Sequence, residues 1–426
     1  LHGQSRGGLF PFRGSPAAVA CPGYRHAPAG PGTYGMSGGD RIPRMTITGL
    51  AQGGEGLARV DGMVWFVPFA YPGDVVSARI ISRHRSWGRA MPDRILEPSP
   101  WRHPFVGGED APEQAYLWGC FDYAGQVEWK PRLVAETLRR VGSITLGPEF
   151  TPAPETSRLG WRDRCVFHPD RGGHPAYYLW HTHASSPVRR CPLASPAINA
   201  ALTELARVGH TAPVTLTAHP ETGETMAWCT DHDRERLQPL LPFAVNSPGD
   251  TRTRARFIMD GVPVVNGAFC QSSLRLNRIL RERVTRELVG ARTVLDCYCG
   301  NGNLTLDIAA RASVTGLDHN TAAVEAARST GAGDYRVGDE TDMAEIIASG
   351  QFDAIVLDPP RTGARRLAAA LAGCRASRIV WVSCDAATLA RDLRVVLASG
   401  WTPREHVVID LFPYTPHAEI LCVLER

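Results

Sequence analysis

Five segments of the last third decide the fold: TVLDCYCGNGNLTLDIA (293–309), SVTGLDHNTAAVEAAR (313–328), FDAIVLDPPRTG (352–363), RIVWVSCDAATLARDL (378–393) and ILCVLE (420–425). Apolar strand-like runs alternate there with the spacing of amphipathic helices. That alternation predicts an α/β domain with a doubly wound parallel sheet, whose ligands bind beyond the carboxyl ends of the strands. The polar motifs of these segments fall at such ends.

The turn after Leu295 reads Asp296, Cys297, Tyr298, Cys299, Gly300, Asn301, Gly302, Asn303. Its two glycines let backbone approach a ligand, and the helix that follows offers unpaired N–H groups. A glycine turn also serves many α/β proteins merely to change direction. Here Asp318 ends the next strand, where its carboxylate can accept hydrogen bonds from both hydroxyls of a ribose. Thr305 stands three residues after Gly302, so the three-glycine dinucleotide pattern is incomplete. A nucleoside cofactor such as S-adenosylmethionine therefore fits better than a nicotinamide dinucleotide.

Asp358, Pro359, Pro360 and Arg361 end another strand. Such a turn either stops a strand with a solvated acid or presents a carboxylate and backbone groups to a planar base. Cys384 sits where an apolar strand meets a helix, and a helix N-terminus there is expected to depress its thiol pKa. Cys374 and Cys422, by contrast, read as inert core residues. Glu419 precedes the terminal apolar run, either exposed on an edge or aimed into a site. A nucleophilic cysteine and a carboxylate converging on one sheet edge make a specific constellation.

Working outward, the chain has 426 residues, 43% of them hydrophobic and 21% charged, enough to bury several cores and too apolar for wholesale disorder. Of its 46 basic residues only Lys130 is lysine, a bias that points to codon pressure from a GC-rich genome. The net charge of +3 excludes a histone-like polycation, and without residues 1–44 it falls to −1. No apolar run approaches the roughly 20 residues needed to cross a bilayer, and no signal peptide is visible, so a cytoplasmic protein is expected. Eleven dispersed cysteines suit reduced thiols better than a disulfide framework.

Residues 1–44, rich in Gly and Pro, are expected to be disordered or a non-native leader, with the physiological start at Met36 or Met45. Residues 45–98 hold short β-rich runs divided by turn residues, the pattern of a small barrel. Residues 99–250 read as a connector, a helix over 125–142 that Pro131 would start, and a compact α+β domain. Residues 251–426 form the α/β domain. Within 79–94, Arg79, Arg83, Arg85, Arg89 and Arg94 surround Trp87 with Asp93 as the only acid, a basic and aromatic stretch suited to RNA. A second basic run, from Arg252 to Arg292, holds nine arginines. Both stretches can equally be solvated faces.

From about Thr46 onward the chain resembles the bacterial RNA uridine-5-methyltransferases, particularly the ribosomal-RNA enzymes with an N-terminal TRAM domain. The segments that carry the resemblance are FCQSS (269–273), LDCYCGNGNLTL (295–306), LDPPRTG (357–363), VSCDAATLARD (382–392) and DLFPYTPHAEIL (410–421). It implies an OB-like TRAM barrel, a central α+β domain and a class I S-adenosylmethionine-dependent methyltransferase domain. Position by position, it makes Cys384 the nucleophile and Glu419 the base. Gln271 would contact cofactor or base, Asp318 the ribose, Asp339 the adenine region, and Asp358 the target uracil as well as the cofactor site. Asp296, Gly300 and Gly302 would line the cofactor turn, and Arg361, Arg83, Arg85 and Arg89 would contact RNA. Asp318 stands where many relatives have Glu, and Ser273 replaces a frequent Asn.

Many relatives also carry an iron–sulfur cluster on four cysteines. Only Cys120 and Cys191 match those positions, with Ala111 and Leu117 at the other two, so no cluster and no other metal is expected. The implied reaction is methyl transfer to C5 of a uridine, ribosomal RNA favoured over transfer RNA, by a monomeric enzyme that needs no membrane. The rival readings are a cytosine-5 RNA methyltransferase and a catalytically silent RNA-binding assembly factor. The first usually carries a second cysteine in the turn that here reads Asp358, Pro359, Pro360, Arg361; the second has no need of Cys384 and Glu419.

Overall fold

The computed structural model describes residues 40–108, 111–145, 147–250 and 254–426. They divide into two compact units, one of residues 40–49 and 56–102, the other of 50–55 and 103–426. The leader up to residue 39, with Met36, lies outside the described residues. Its expected end at residue 44 is too late, because the first strand, Arg41–Leu50, already pairs Ile42 with Ala78 and buries Ile42 in the core of the first unit.

That first unit is a closed five-stranded barrel. Arg41–Leu50, Gly56–Val60, Met63–Val67, Val75–Arg83 and Trp87–Glu97 run around it in the order first, second, third, fifth, fourth. Side chains alternate inward along each strand, so Met45, Ile47, Ala58, Trp65, Val67, Val76 and Ala90 fill the interior. Gly88 is required by close approach, since a Cβ there would lie 2.5 Å from the Trp65 ring.

The second unit holds two sheets that carry most of its structure. Residues 164–246 supply the expected α+β part: six strands ordered Ala244–Asn246, Thr225–Trp228, Val214–Ala218, Arg164–Pro169, Pro175–Tyr178, Ser185–Pro187, with the helix Pro196–Val208 packed on them. The larger sheet has eight strands ordered Asp334–Val337, Ser313–Asp318, Thr293–Cys297, Ala354–Leu357, Arg378–Ser383, Glu419–Glu425, Thr402–Ile409, Glu149–Thr151. The first five are parallel, and the order reverses at Thr293–Cys297, which places a crevice between its carboxyl end and that of Ala354–Leu357.

Two expectations need correction. The terminal strand Glu419–Glu425 is antiparallel to both neighbours, because it returns directly from Thr402–Ile409 without a crossover helix. The helix expected to begin near Pro131 runs from Tyr123 to Gly142 with Pro131 inside it. Interior proline costs a helix hydrogen bond, but Gln126 and Lys130 in the preceding turn are buried and bound to the chain around Asp410–Tyr414, which holds the helix through the defect.

Candidate active site

The antiparallel terminal strand has a direct chemical consequence. Ser383 pairs with Ile420 across the two strands, so the next residue of one and the preceding residue of the other, Cys384 and Glu419, arrive at the same sheet edge. A parallel strand would have carried Glu419 to the opposite end. Both residues border a cavity of about 710 Å³ that also meets Gln271, Asp296, Asp318, Asp339, Asp358 and Arg361. That volume lies within the roughly 300–1,000 Å³ range of small-molecule sites.

At one end of the cavity lies the glycine turn. Tyr298, Gly300 and Gly302 all have positive φ, at 61°, 52° and 82°, and the tight bend turns backbone toward the ligand space. Gly302 does not line the cavity. Its role is packing, since a Cβ there would meet Leu306 at 2.9 Å and the Tyr335 hydroxyl at 3.1 Å. Tyr298 donates from its hydroxyl to Glu340 at 2.9 Å, tying the turn to the helix Glu340–Ser349. Asp339 caps that helix, accepting from the N–H groups of Thr341 at 2.6 Å and Asp342 at 3.2 Å. Those backbone donors hold its carboxyl below the usual range.

Asp318 accepts from Gly300 N–H at 3.0 Å and Asn320 N–H at 2.8 Å, so it organises the turn besides facing the cavity. Asp296 is buried beneath and accepts from the Thr305 hydroxyl at 2.5 Å. Burial pushes its pKa up to about 7, with Asp358 and Asp318 adding repulsion against that one hydrogen bond. A cavity with this density of carboxylates suits a positively charged ligand. The glycine turn, the ribose-type acid Asp318 and the apolar walls Val262, Val264, Leu304 and Met343 fit the nucleoside and the sulfonium of S-adenosylmethionine.

The other end gathers the reactive groups. Gln271 donates from Nε2 to Oδ2 of Asp358, whose pKa burial raises to about 7. Glu419 is almost fully buried and its Oε1 has no hydrogen-bond partner, leaving that oxygen free for a ligand. Burial, then repulsion from Asp358, drives its pKa well above the usual carboxylate value, and Arg361 opposes them. Cys384 is half-buried, whereas the other nine cysteines among the described residues are buried.

The expected depression of the Cys384 pKa is not found. Burial, Glu419 and Asp358 raise it to about 11, with Arg361 as the opposing cation. The N-terminus of the helix Ala386–Leu397 is occupied by its own cap, Asp385, which accepts from the N–H groups of Ala387 at 3.0 Å and Thr388 at 2.8 Å. Sequence reading also assigns no role to Phe269, a residue that borders this cavity and is 67% exposed. Its position two residues before Gln271 is the available signal.

The barrel arginines belong to the other unit. Arg83 and Arg85 are exposed. Arg89 lies over the rings of Phe66 and Trp87 at 5.7 and 5.5 Å, and His84 stacks on Trp87 with centroids 4.0 Å apart. A cation beside stacked rings suits phosphate and base contacts together.

The iron–sulfur positions do not fit a four-thiolate cluster. Cys120 donates from Sγ to the Glu113 carboxylate at 3.1 Å, while Cys191 is buried in the core with Cys165, Tyr116 and Tyr177. The rings of Phe105, Tyr116 and Tyr177 pack in sequence there, at 5.6 and 6.0 Å between centroids. Among the described residues no helix is long and apolar enough to cross a membrane.

Comparison with known proteins agrees with this geometry. Residues 41–90 match the TRAM domain family and 294–391 the family described as a methyltransferase domain. The chain is 31% identical to the 23S rRNA (uracil(1939)-C(5))-methyltransferase RlmD of Alkalilimnicola ehrlichii, over 91% of this chain and 98% of that one. It is 28% identical to the protein of the same name from Pseudomonas entomophila, over 95% and 98%. An uncharacterized RNA methyltransferase of Gloeobacter violaceus is 29% identical over 89% and 95%. The crystal structure of Pyrococcus abyssi tRNA (uracil-54, C5)-methyltransferase in complex with S-adenosyl-L-homocysteine shares the fold, with a TM-score of 0.72, 22% identity and coverage of 90% and 99%.

Proposed function

Because the chain belongs to the RNA uracil-C5-methyltransferase family, we propose that it methylates C5 of a uridine in 23S ribosomal RNA by way of a covalent Cys384 adduct. The reaction class, transfer of a methyl group from S-adenosylmethionine to uracil C5 in RNA, follows from the family. The observation that carries the mechanism is the Ser383–Ile420 register, which sets a thiol and a buried carboxyl on one cavity beside Asp358 and Gln271. We further propose that the enzyme acts as a monomer in the cytoplasm and without an iron–sulfur cluster, since the four-ligand set is absent.

C5 of uracil is a weak nucleophile. Addition of the Cys384 thiolate to C6 moves the ring's electron pair toward O4 and C5 and makes C5 an enolate carbon. When bound at the glycine turn, S-adenosylmethionine supplies the methyl group that C5 accepts. The Glu419 carboxylate then takes the remaining C5 proton; the C–H electrons form the C5–C6 double bond, and the thiolate leaves. Gln271 and Asp358 hold the uracil edge, and Asp318, Asp339 and the 296–302 turn hold the nucleoside. Without ligands, burial keeps Cys384 and Glu419 neutral. A cation entering the cavity lowers both pKa values, so the reactive forms arise with the ligands in place.

The target base must leave its stack, at a cost of a few kcal/mol that is least for loop nucleotides. Transfer of tritiated methyl groups to 23S transcripts, with mass mapping of 5-methyluridine, tests the substrate; labelling of transfer RNA alone would overturn the ribosomal assignment. Cys384→Ala should abolish transfer while cofactor binding persists. Glu419→Gln should accumulate a protein–RNA adduct that survives denaturing gels, and failure to do so would remove the base role.

A further inference from the structure

Lys130 is the only lysine in a chain that otherwise uses arginine throughout, and it is completely buried. It sits in the helix Tyr123–Gly142, 280 residues from the acid it faces. Its ammonium donates to Asp410 Oδ1 at 2.6 Å and to the Phe412 carbonyl at 3.0 Å, with the Trp118 ring 5.7 Å away. A lysine has three N–H donors, and two carbonyl-type acceptors with one aromatic face match them. A guanidinium would bring five donors in a planar fork to the same closed space.

The groups that Lys130 grips belong to the segment that delivers Glu419. Asp410 also accepts from the Tyr123 hydroxyl at 2.9 Å and from Phe412 N–H at 3.2 Å. Gln126, on the same helix, accepts from Tyr414 N–H at 2.7 Å, and Trp161 donates to the Pro413 carbonyl at 3.1 Å. Tyr414 adopts a left-handed φ of 60°, a conformation that needs such external support. Past that point the chain is held more lightly: His417 N–H donates to Thr415 Oγ1 at 3.3 Å and its ring meets that of Phe412 at 6.2 Å, before Glu419 joins the sheet opposite Ile409. A cavity of about 350 Å³, bordered by Lys130, Val134, Cys384, His417 and Ala418, lies beside the last residues before Glu419. The segment thus runs from the Lys130 anchor to the sheet edge with a cavity along its side, so the anchor and the strand register together fix the position of Glu419.

From this juxtaposition we infer that Lys130 is a positioning residue for the proton-abstraction step: through Asp410 and the Phe412 carbonyl it sets where the Glu419 carboxyl meets the C5 proton. The inference rests on the base role of Glu419 proposed above. It separates two halves of one reaction. The helix Tyr123–Gly142 packs on the helix Ala386–Leu397 that follows Cys384, but the hydrogen bonds of Lys130 go to Asp410 and Phe412, on the segment that leads to Glu419, so loss of the Lys130–Asp410 pair should slow adduct resolution more than adduct formation.

The test follows the covalent protein–RNA adduct in denaturing gels and the release of methylated RNA in single turnovers, with wild type and Glu419→Gln as references. Lys130→Met leaves Asp410 buried without its counter-charge and is prone to misfold; Lys130→Met with Asp410→Asn removes both charges and keeps the core neutral. In the double variant the adduct should form within about threefold of the wild-type rate, its resolution should slow at least tenfold, and cofactor affinity should stay within about twofold. Hydrogen exchange over 411–418 should rise in the same protein. A merely structural role would lower both rates together or neither. If Glu419→Gln traps the adduct and the double variant resolves it at the wild-type rate, or slows formation and resolution alike, the inference is wrong. If Glu419→Gln itself traps nothing, the base assignment fails instead.

Discussion

Gln271 Nε2 donates to Asp358 Oδ2 at 3.3 Å, joining the segment before the catalytic sheet to the Pro-Pro turn of its fourth parallel strand. The bond aims Asp358 across the cavity that also meets Cys384 and Glu419. Both of those groups are raised in pKa by Asp358. Gln271→Leu should lower kcat/KM by roughly tenfold to a hundredfold, the scale of losing about 1.5–3 kcal/mol in a hydrogen bond to a charged group. Asp358→Asn should also move the acid limb of the kcat/KM profile to lower pH, because one source of repulsion on Cys384 is gone. A limb that moves upward would contradict that coupling.

The raised Cys384 thiol gives a prediction independent of turnover. As the one half-buried cysteine among the described residues, it should be the preferred site of iodoacetamide alkylation. Its pKa of about 11 means that the unliganded rate should still be climbing at pH 10. Glu419→Gln removes a group that raises the thiol pKa once it ionises, so it should speed alkylation at the alkaline end of that range. Peptide mapping by mass spectrometry checks both, and a rate that plateaus near pH 7 would refute the electrostatic picture.

Much of this site is legible in the sequence because its parts are short motifs at strand ends: Asp296–Gly302, Asp318, Asp358–Arg361, Cys384. Local sequence specifies them, and the alternation of strands and helices puts their ends on one edge. The direction of the terminal strand is not legible, since an apolar run such as ILCVLE reads alike in either orientation. Yet that direction is what brings Glu419 to Cys384. The thiol pKa departs from expectation for a related reason. A helix N-terminus is legible locally, whereas its occupation by the Asp385 side chain and the burial of Glu419 and Asp358 nearby are tertiary facts. Lys130 is legible only as an oddity of composition, because its partner lies 280 residues away.

The barrel surface offers a third prediction. Replacing Arg83, Arg85 and Arg89 by alanine should weaken RNA binding and reduce the magnitude of the slope of log K against log salt by about 2, as three lost phosphate contacts to single-stranded RNA would. Trp87→Ala should weaken binding without altering that slope, because stacking on the ring neighboured by His84 and Arg89 releases no counterions. Filter binding across a salt series separates the two, and an unchanged slope in the triple variant would remove the arginines from the interface.

His406 makes the catalytic unit acid-sensitive. It lies in the strand Thr402–Ile409, almost fully buried, and neither ring nitrogen has a hydrogen-bond partner. Burial depresses its pKa from 6.5 to about 4. The unfolded chain therefore binds this proton first as pH falls: stability is intact above about pH 6.5 and is lost progressively down to about pH 4. The full loss from this one group is about 3 kcal/mol. His406→Leu removes the titrating group and two unpartnered nitrogens together, so it should flatten that part of the profile and raise the urea midpoint most at pH 5. Denaturation curves at pH 5 and pH 8 decide the matter; an equal shift in midpoint at both would mean that the ring contributes through packing alone.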